Sequence, residues 1–256
     1  MGANNGRKYK NPPLVEALCE FQFIPQEPYD LTIPGLFYEK IKNEFPEKEE
    51  QAGVDFQLQM TDRGIEQKIV PVPPKVRFFK PGGTPLVQLA PDLLAVNCLQ
   101  PYPSWESFKP VILENLEVYR EVAKPKGFRR IGLRYINVLE LNKVNVELTD
   151  YFCYYPSIPE VLPQQVDTFL SRVEIPYEDE RLILTLGTIA PKRPNLLQIT
   201  LDIDYVMVTP EKIAFDDISA WLDKAHERVE YAFESCITDK ARELFQEVNN
   251  AVNSDK

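Results

Sequence analysis

Between Val54 and Cys98 the chain alternates apolar and polar residues with a period of two, and turn residues interrupt the alternation every few positions. DFQLQM, EQKIVPV, KVRFFK, PLVQLA and LLAVNCL read as strands, separated by Asp62-Arg63-Gly64, Pro73-Pro74 and Pro81-Gly82-Gly83. A parallel crossover needs about a dozen residues between strands, and these gaps are far shorter. The strands therefore pair antiparallel. Pro81-Gly82-Gly83 reads as a hairpin turn, because it lacks the helix start and the Lys-Ser/Thr pair of a phosphate loop.

A longer strand is expected at Arg129–Leu141, RRIGLRYINVLEL. Ile131, Leu133, Tyr135 and Asn137 fall on one face, with Arg130, Gly132, Arg134 and Ile136 on the other. Packing alone does not require two arginines and a glycine on one side of a strand rich in β-formers. Asn11–Pro25 belongs with it: Val15, Ala17, Cys19, Phe21 and Phe23 face one way, and Glu16 and Glu20 face the other on either side of Leu18. Pairing of the two strands would set a Glu-Leu-Glu row against an Arg-Gly-Arg row. Glu16, Glu20, Arg130, Arg134, Tyr135 and Asn137 are thus the candidate binding residues. For Glu16 and Glu20 the bland expectation is an ion pair with Arg130 or Arg134, and the sharper one is carboxylate catalysis.

Helices are legible by their 3.6-residue stripes. Phe37, Ile41 and Phe45 mark one between Pro34 and Pro46, followed by an acidic run, Glu47–Glu50, that reads as a solvated loop. Ser104 caps a second, carrying Trp105, Phe108, Ile112, Leu116 and Tyr119, with Pro110 inside it. Strands resume at FLSRVEIPY, RLILTLGTI and LLQITLDIDYVMV, with a hairpin over Ala190–Asn195. A long helix over Asp217–Ser235 bears Ile218, Trp221, Leu222, Ala225, Val229, Ala232 and Phe233, and Thr238 caps a last one with Ala241, Leu244, Phe245 and Val248 inward.

Two segments share an order: Leu86–Leu89 then Leu94–Cys98 then the Trp105 helix, and Leu196–Ile199 then Asp204–Val208 then the Trp221 helix. The expected fold is α+β, a mainly antiparallel sheet with two long helices packed on it, from an internal duplication of a strands-plus-helix unit. The expected boundaries are a frayed 1–10, a first unit over 11–148, an aromatic and Pro-rich linker over 149–165, and a second unit with the C-terminal helix over 166–250. Tyr151, Phe152, Tyr154 and Tyr155 in the linker read as packing over the core.

With a net charge of −10, the chain has no global attraction for nucleic acid or an anionic membrane, and a basic protein suits it better. No apolar run approaches the ~20 residues of a membrane span, and the first residues lack the apolar stretch of a secretory signal. Lys124, Lys126, Arg129, Arg130 and Arg134 form one acid-free basic window, read as a basic loop or as an electropositive spot for a phosphate or an acidic partner. Cys19, Cys98, Cys153 and Cys236 have no metal or disulfide spacing and suit buried free thiols in the cytoplasm. His226 is the single histidine, at the edge of a helical stripe, so no metal or cofactor is expected. Asp202 and Asp204 alternate on a strand, a pair able to bind a metal or, as is common, simply outward-facing carboxylates. No nucleophile with a base is evident.

Pro12-Pro13-Leu14-Val15-Glu16-Ala17 and Arg130–Asn137 together resemble the motifs of a sporadically distributed bacterial and archaeal family of unknown function. Its members open with Pro-Pro-x-x-Glu-Ala and carry Arg-x-Gly-x-Arg-Tyr-x-Asn near the middle. The resemblance implies kinship over most of the chain and, through the family's patchy distribution, an accessory role such as an antitoxin or phage-defence component. The expected function is non-enzymatic protein binding. The alternative is an enzyme or nucleotide-responsive module with Arg130, Arg134 and Tyr135 in a groove with Glu16 and Glu20.

Overall fold

The computed structural model describes residues 7–61, 64–142, 146–164, 168–190, 193 and 196–248, with the backbone alone over 51–74. The turn expected at Asp62-Arg63 and most of the Ala190–Asn195 hairpin lie outside the described residues. In chain order the elements are β1 (Leu14–Ile24), α1 (Ile33–Ile41), β2 (Glu47–Thr61), β3 (Gly64–Phe79), β4 (Leu86–Ala90), β5 (Leu93–Leu99), α2 (Trp105–Ala123) and β6 (Gly127–Asn142). Then come β7 (Leu170–Tyr177), β8 (Glu180–Ile189), β9 (Leu196–Met207), α3 (Ile218–Cys236) and α4 (Asp239–Phe245).

The strands form one nine-stranded sheet in the order β2-β3-β4-β5-β1-β6-β9-β8-β7, with every neighbouring pair antiparallel. β1 and β6 meet at its centre. Outward from that seam the halves run in a similar order: the strand that precedes a helix (β5 or β9) lies beside the half's first strand, followed by β4, β3 and β2 in one half and by β8 and β7 in the other. α2 and α3, which come after β5 and β9, each have 19 residues.

Alternation divides the sheet into an apolar and a polar face. Ala17, Cys19, Phe21 and Phe23 of β1 share one face with Leu94, Val96 and Cys98 of β5 and Ile131, Leu133 and Tyr135 of β6, all buried. α2 covers them with Phe108, Ile112, Leu116 and Tyr119, and α3 with Trp221, Leu222, Ala225 and Val229. Phe23 stacks on Tyr119 with ring centres 4.3 Å apart. Full burial of one such side chain contributes roughly 1.5–3 kcal/mol. α2 starts where expected, with the Ser104 hydroxyl accepting the Ser107 amide at 3.3 Å, and runs on through Pro110.

Several expectations are corrected. Glu47–Glu50 is not a loop but the start of β2, opposite Phe79–Val76 of β3. Backbone pairing holds this edge, so side-chain charge does not decide it. EQKIVPV and KVRFFK are one strand, and Pro73-Pro74 is not a turn: the prolines fall where the register slips between Gln51↔Lys75 and Gly53↔Val72, a bulge that needs no ladder amide. Residues 7–10, expected to fray, are tied to the C-terminal segment by a Tyr9–Glu247 bridge and a 3.0 Å bond from the Lys10 amide to the Gln246 carbonyl. Leu244 and Val248, expected inward, are exposed, as is Cys153. In the stretch read as a linker, Phe152 is buried and bridges Ile237, Tyr151 and Tyr154 pack on the core, and Tyr155 is exposed. Among the described residues no helix is long and apolar enough to cross a membrane.

Candidate functional site

The central register sets Leu18 opposite Arg134, Glu20 opposite Gly132 and Gln22 opposite Arg130. The Glu-Leu-Glu row does lie against the Arg-Gly-Arg row, on the face away from α2 and α3.

Arg130 lies across Gly132 and bridges two strands. Its Nη1 donates to Glu20 Oε1 at 3.0 Å, and its Nη2 to Asp204 Oδ2 on β9 at 2.9 Å. A Cβ on residue 132 would stand 3.0 Å from Nη1 and 3.2 Å from both Nη2 and Asp204 Oδ1. The glycine is the seat of the guanidinium. Arg134 grips Asp202 fork to fork, Nε to Oδ1 at 2.7 Å and Nη2 to Oδ2. Glu16 does not pair with an arginine: its Oε1 accepts from Asn97 Nδ2 at 2.5 Å. Asn97 Oδ1 accepts from Gln88 at 2.7 Å, and Gln88 Oε1 from Arg77 Nε at 3.3 Å. A polar belt thus crosses from β3 to β9 over the centre of the sheet.

At the middle of this belt four carboxylates (Glu16, Glu20, Asp202, Asp204) face two guanidiniums (Arg130, Arg134). Burial pushes the Asp204 carboxyl up to about 6, outweighing the pull of Arg130 and Arg134. The Asp202 bond holds Arg134 above its usual range. Both guanidiniums are spent inside the protein, so the expected electropositive spot is not formed by Arg130 and Arg134. The excess here is negative, which favours a cationic ligand surface. Arg134 is the most open member, its side chain 42% exposed against 15% for Asp202.

Tyr135 and Asn137 lie on the opposite face, 6% and 4% exposed beneath the helices. The period of two that puts Arg134 in the belt turns Tyr135 away, so the groove expected to hold Arg130, Arg134 and Tyr135 together is not formed. The Tyr135 hydroxyl instead sits 2.9 Å from His226 Nδ1 on α3 and 3.1 Å from the Tyr102 hydroxyl. Trp105 of α2 stacks on the His226 ring at 4.4 Å and donates to Asp223 Oδ1 at 3.1 Å. Burial pulls the His226 imidazole down to about 4, against Glu106 and Asp223, so the ring is neutral. Asn137 Nδ2 donates to the Leu201 carbonyl at 3.2 Å, a bond that ties β6 to β9.

Asp202 and Asp204 complete the belt and were not among the candidate residues, although their alternation in an apolar strand mirrors that of Arg130 and Arg134. His226, first read as an edge residue without a role, joins β6, α2 and α3; its partners are too distant in sequence to leave a local signal. Among the described residues no three His, Cys, Asp or Glu side chains stand together as metal ligands. No family model, curated protein or solved structure matches the chain.

Proposed function

We propose that the chain is a cytoplasmic, non-enzymatic protein-binding module that presents the belt on its helix-free sheet face to a basic partner protein. The observation that carries this is the excess of carboxylates over guanidiniums on a face on which, among the described residues, no helix packs. Electrostatic complementarity to a basic surface gives such a face specificity and a fast on-rate. An antitoxin or an accessory component of a defence system fits this role and the resemblance to the sporadically distributed family. The order β5, β4, β3 beside β1 and β9, β8, β7 beside β6 is in keeping with an internal duplication, to which β2 would be an addition. A nucleotide-responsive or enzymatic groove is disfavoured, because a ligand phosphate would have to displace a carboxylate already bonded to Arg130 or Arg134, and Tyr135 lies on the other face.

The test is affinity purification of the tagged full-length protein from its native cell at low and high salt, with cross-links mapped by mass spectrometry. A stoichiometric basic protein that cross-links beside β1 and β6, is lost at high salt and is lost from a folded Glu16→Lys variant supports the proposal. A protein recovered alone, or a partner indifferent to both salt and Glu16→Lys, overturns it.

A further inference from the structure

On the helix-covered side, away from the belt, the end of β1, the segment before α1, the β4–β5 turn and the last turn of α2 enclose a recess of about 180 Å³. Drug-sized ligands need roughly 300–1,000 Å³, so the recess suits something smaller. Glu27, Asp30 and Asp92 line it together with Phe23, Tyr29 and Tyr119. The Asp30 carboxylate accepts the Thr32 amide at 2.8 Å, and none of the three carboxylates has an ion-pair partner among the described residues.

Tyr119 supplies an independent sign. It is 2% exposed, its ring is held against Phe23, and its hydroxyl has no hydrogen-bond partner among the described residues. Asn115 Oδ1 is the one enclosed side-chain atom without a partner among the described residues, so the Tyr119 hydroxyl is the part of this side chain that stays open, at the recess it lines. The hydroxyl sits within electrostatic reach of Asp92 and Tyr29, both at the rim of the recess. The C-terminal carbonyls of α2 add partial negative charge at the same spot. Negative groups, aromatic rings and a hydroxyl without a protein partner converge, and among the described residues no cation is paired with them.

We propose that this recess binds a small organic cation, an alkylammonium or guanidinium group, with Asp92, Asp30 and Glu27 as counter-charges and the Tyr119 hydroxyl as acceptor. The ring of Tyr29 at the rim contributes cation–π attraction. The group could arrive on a free amine or on the lysine or arginine side chain of another protein, and the chemistry recognised is the same.

Calorimetric titration of the full chain with putrescine, agmatine and Nα-acetyl-lysine methylamide tests this. At least one should bind, more weakly as salt rises. Asp92→Asn should weaken it about tenfold or more, the loss expected when a hydrogen bond to a charged group is removed. Asn tolerates the left-handed backbone of residue 92 (φ 54°), so this variant keeps the turn. Tyr119→Phe should weaken binding several-fold and leave the melting temperature unchanged or higher, which a purely structural tyrosine would not do. Binding of the diamine or agmatine alone identifies a free ligand, and binding of the lysine derivative alone identifies a protein side chain. No binding by any of the three, or binding unchanged in Asp92→Asn, overturns the proposal. Glu16→Lys on the other face should leave all three titrations unaltered, so failure of the partner proposal is read separately.

Discussion

Arg134 and Tyr135 are neighbours in the chain and work in opposite settings. On one face of β6, Arg130 and Arg134 hold carboxylates from β1 and β9 in a half-open belt of charge. On the other, Tyr135 joins Tyr102 and an uncharged His226 in a seam roofed by Trp105, with the Glu230 carboxylate 3.4 Å from His226 Nε2. The two regions answer acid in opposite senses. Asp204 has a folded pKa raised from 3.8 to about 6, so the stability it contributes is full below about 4 and is lost as pH rises through 6. His226 is lowered from 6.5 to about 4, so its contribution is full above 6.5 and is lost as pH falls through 4. Each effect is about 3 kcal/mol by linkage, of opposite sign, and they nearly cancel between pH 4 and 6.

The sharpest way to break this comparison is Arg130→Ala. It leaves Glu20 and the mostly buried Asp204 face to face without their shared cation, and should lower the unfolding free energy at pH 7 by about 3 kcal/mol or more in urea titration. A loss below about 1 kcal/mol would mean that water already screens the belt. Next come the two slopes. Stability of Asp204→Asn should rise from pH 4 to 6.5, because the His226 contribution then outweighs the smaller opposing one of Glu230, whose carboxyl burial also pushes up, and His226→Phe should fall over the same window. Parallel curves for the two variants would contradict the assignment. Tyr135→Phe, which strands His226 Nδ1 and the Tyr102 hydroxyl, should cost about 2 kcal/mol by thermal or urea denaturation. The smallest effect belongs to Arg134→Ala. The openness of the Arg134 side chain itself, 42% exposed, limits the loss to about 1 kcal/mol, and the far-ultraviolet spectrum should not change.

Strands were easy to read where one face is buried, because alternation and Pro or Gly punctuation then mark them, as in β1, β4, β5, β6 and β9. At the β2–β3 edge the reading failed. Four charges at Glu47–Glu50 look like solvent, and Pro73-Pro74 looks like a turn, because backbone pairing and a bulge leave no signature in side-chain hydrophobicity. The Glu–Arg opposition was visible because both rows lie within single strands. The identity of each pair was not: Arg134 takes Asp202, 68 residues away, and Glu16 takes Asn97, 81 residues away. Tyr135 was grouped with Arg134 by proximity in sequence although the strand period already placed it on the other side.

Among the described residues strand β7 ends the sheet with a neighbour on one side only, and Leu170, Val173 and Ile175 are exposed along it. Such a border invites a further strand, from a second copy or any extended chain, and unchecked growth there is how sheets become fibres. Pro176 withholds one amide from that border, and Glu174 is clasped by Arg172 and Arg181 at 2.8 Å each, so an incoming copy in register would meet its own charges. Replacing Glu174 and Pro176 with valine would strip away both guards and should increase aggregation on concentration, read by light scattering against the parent chain.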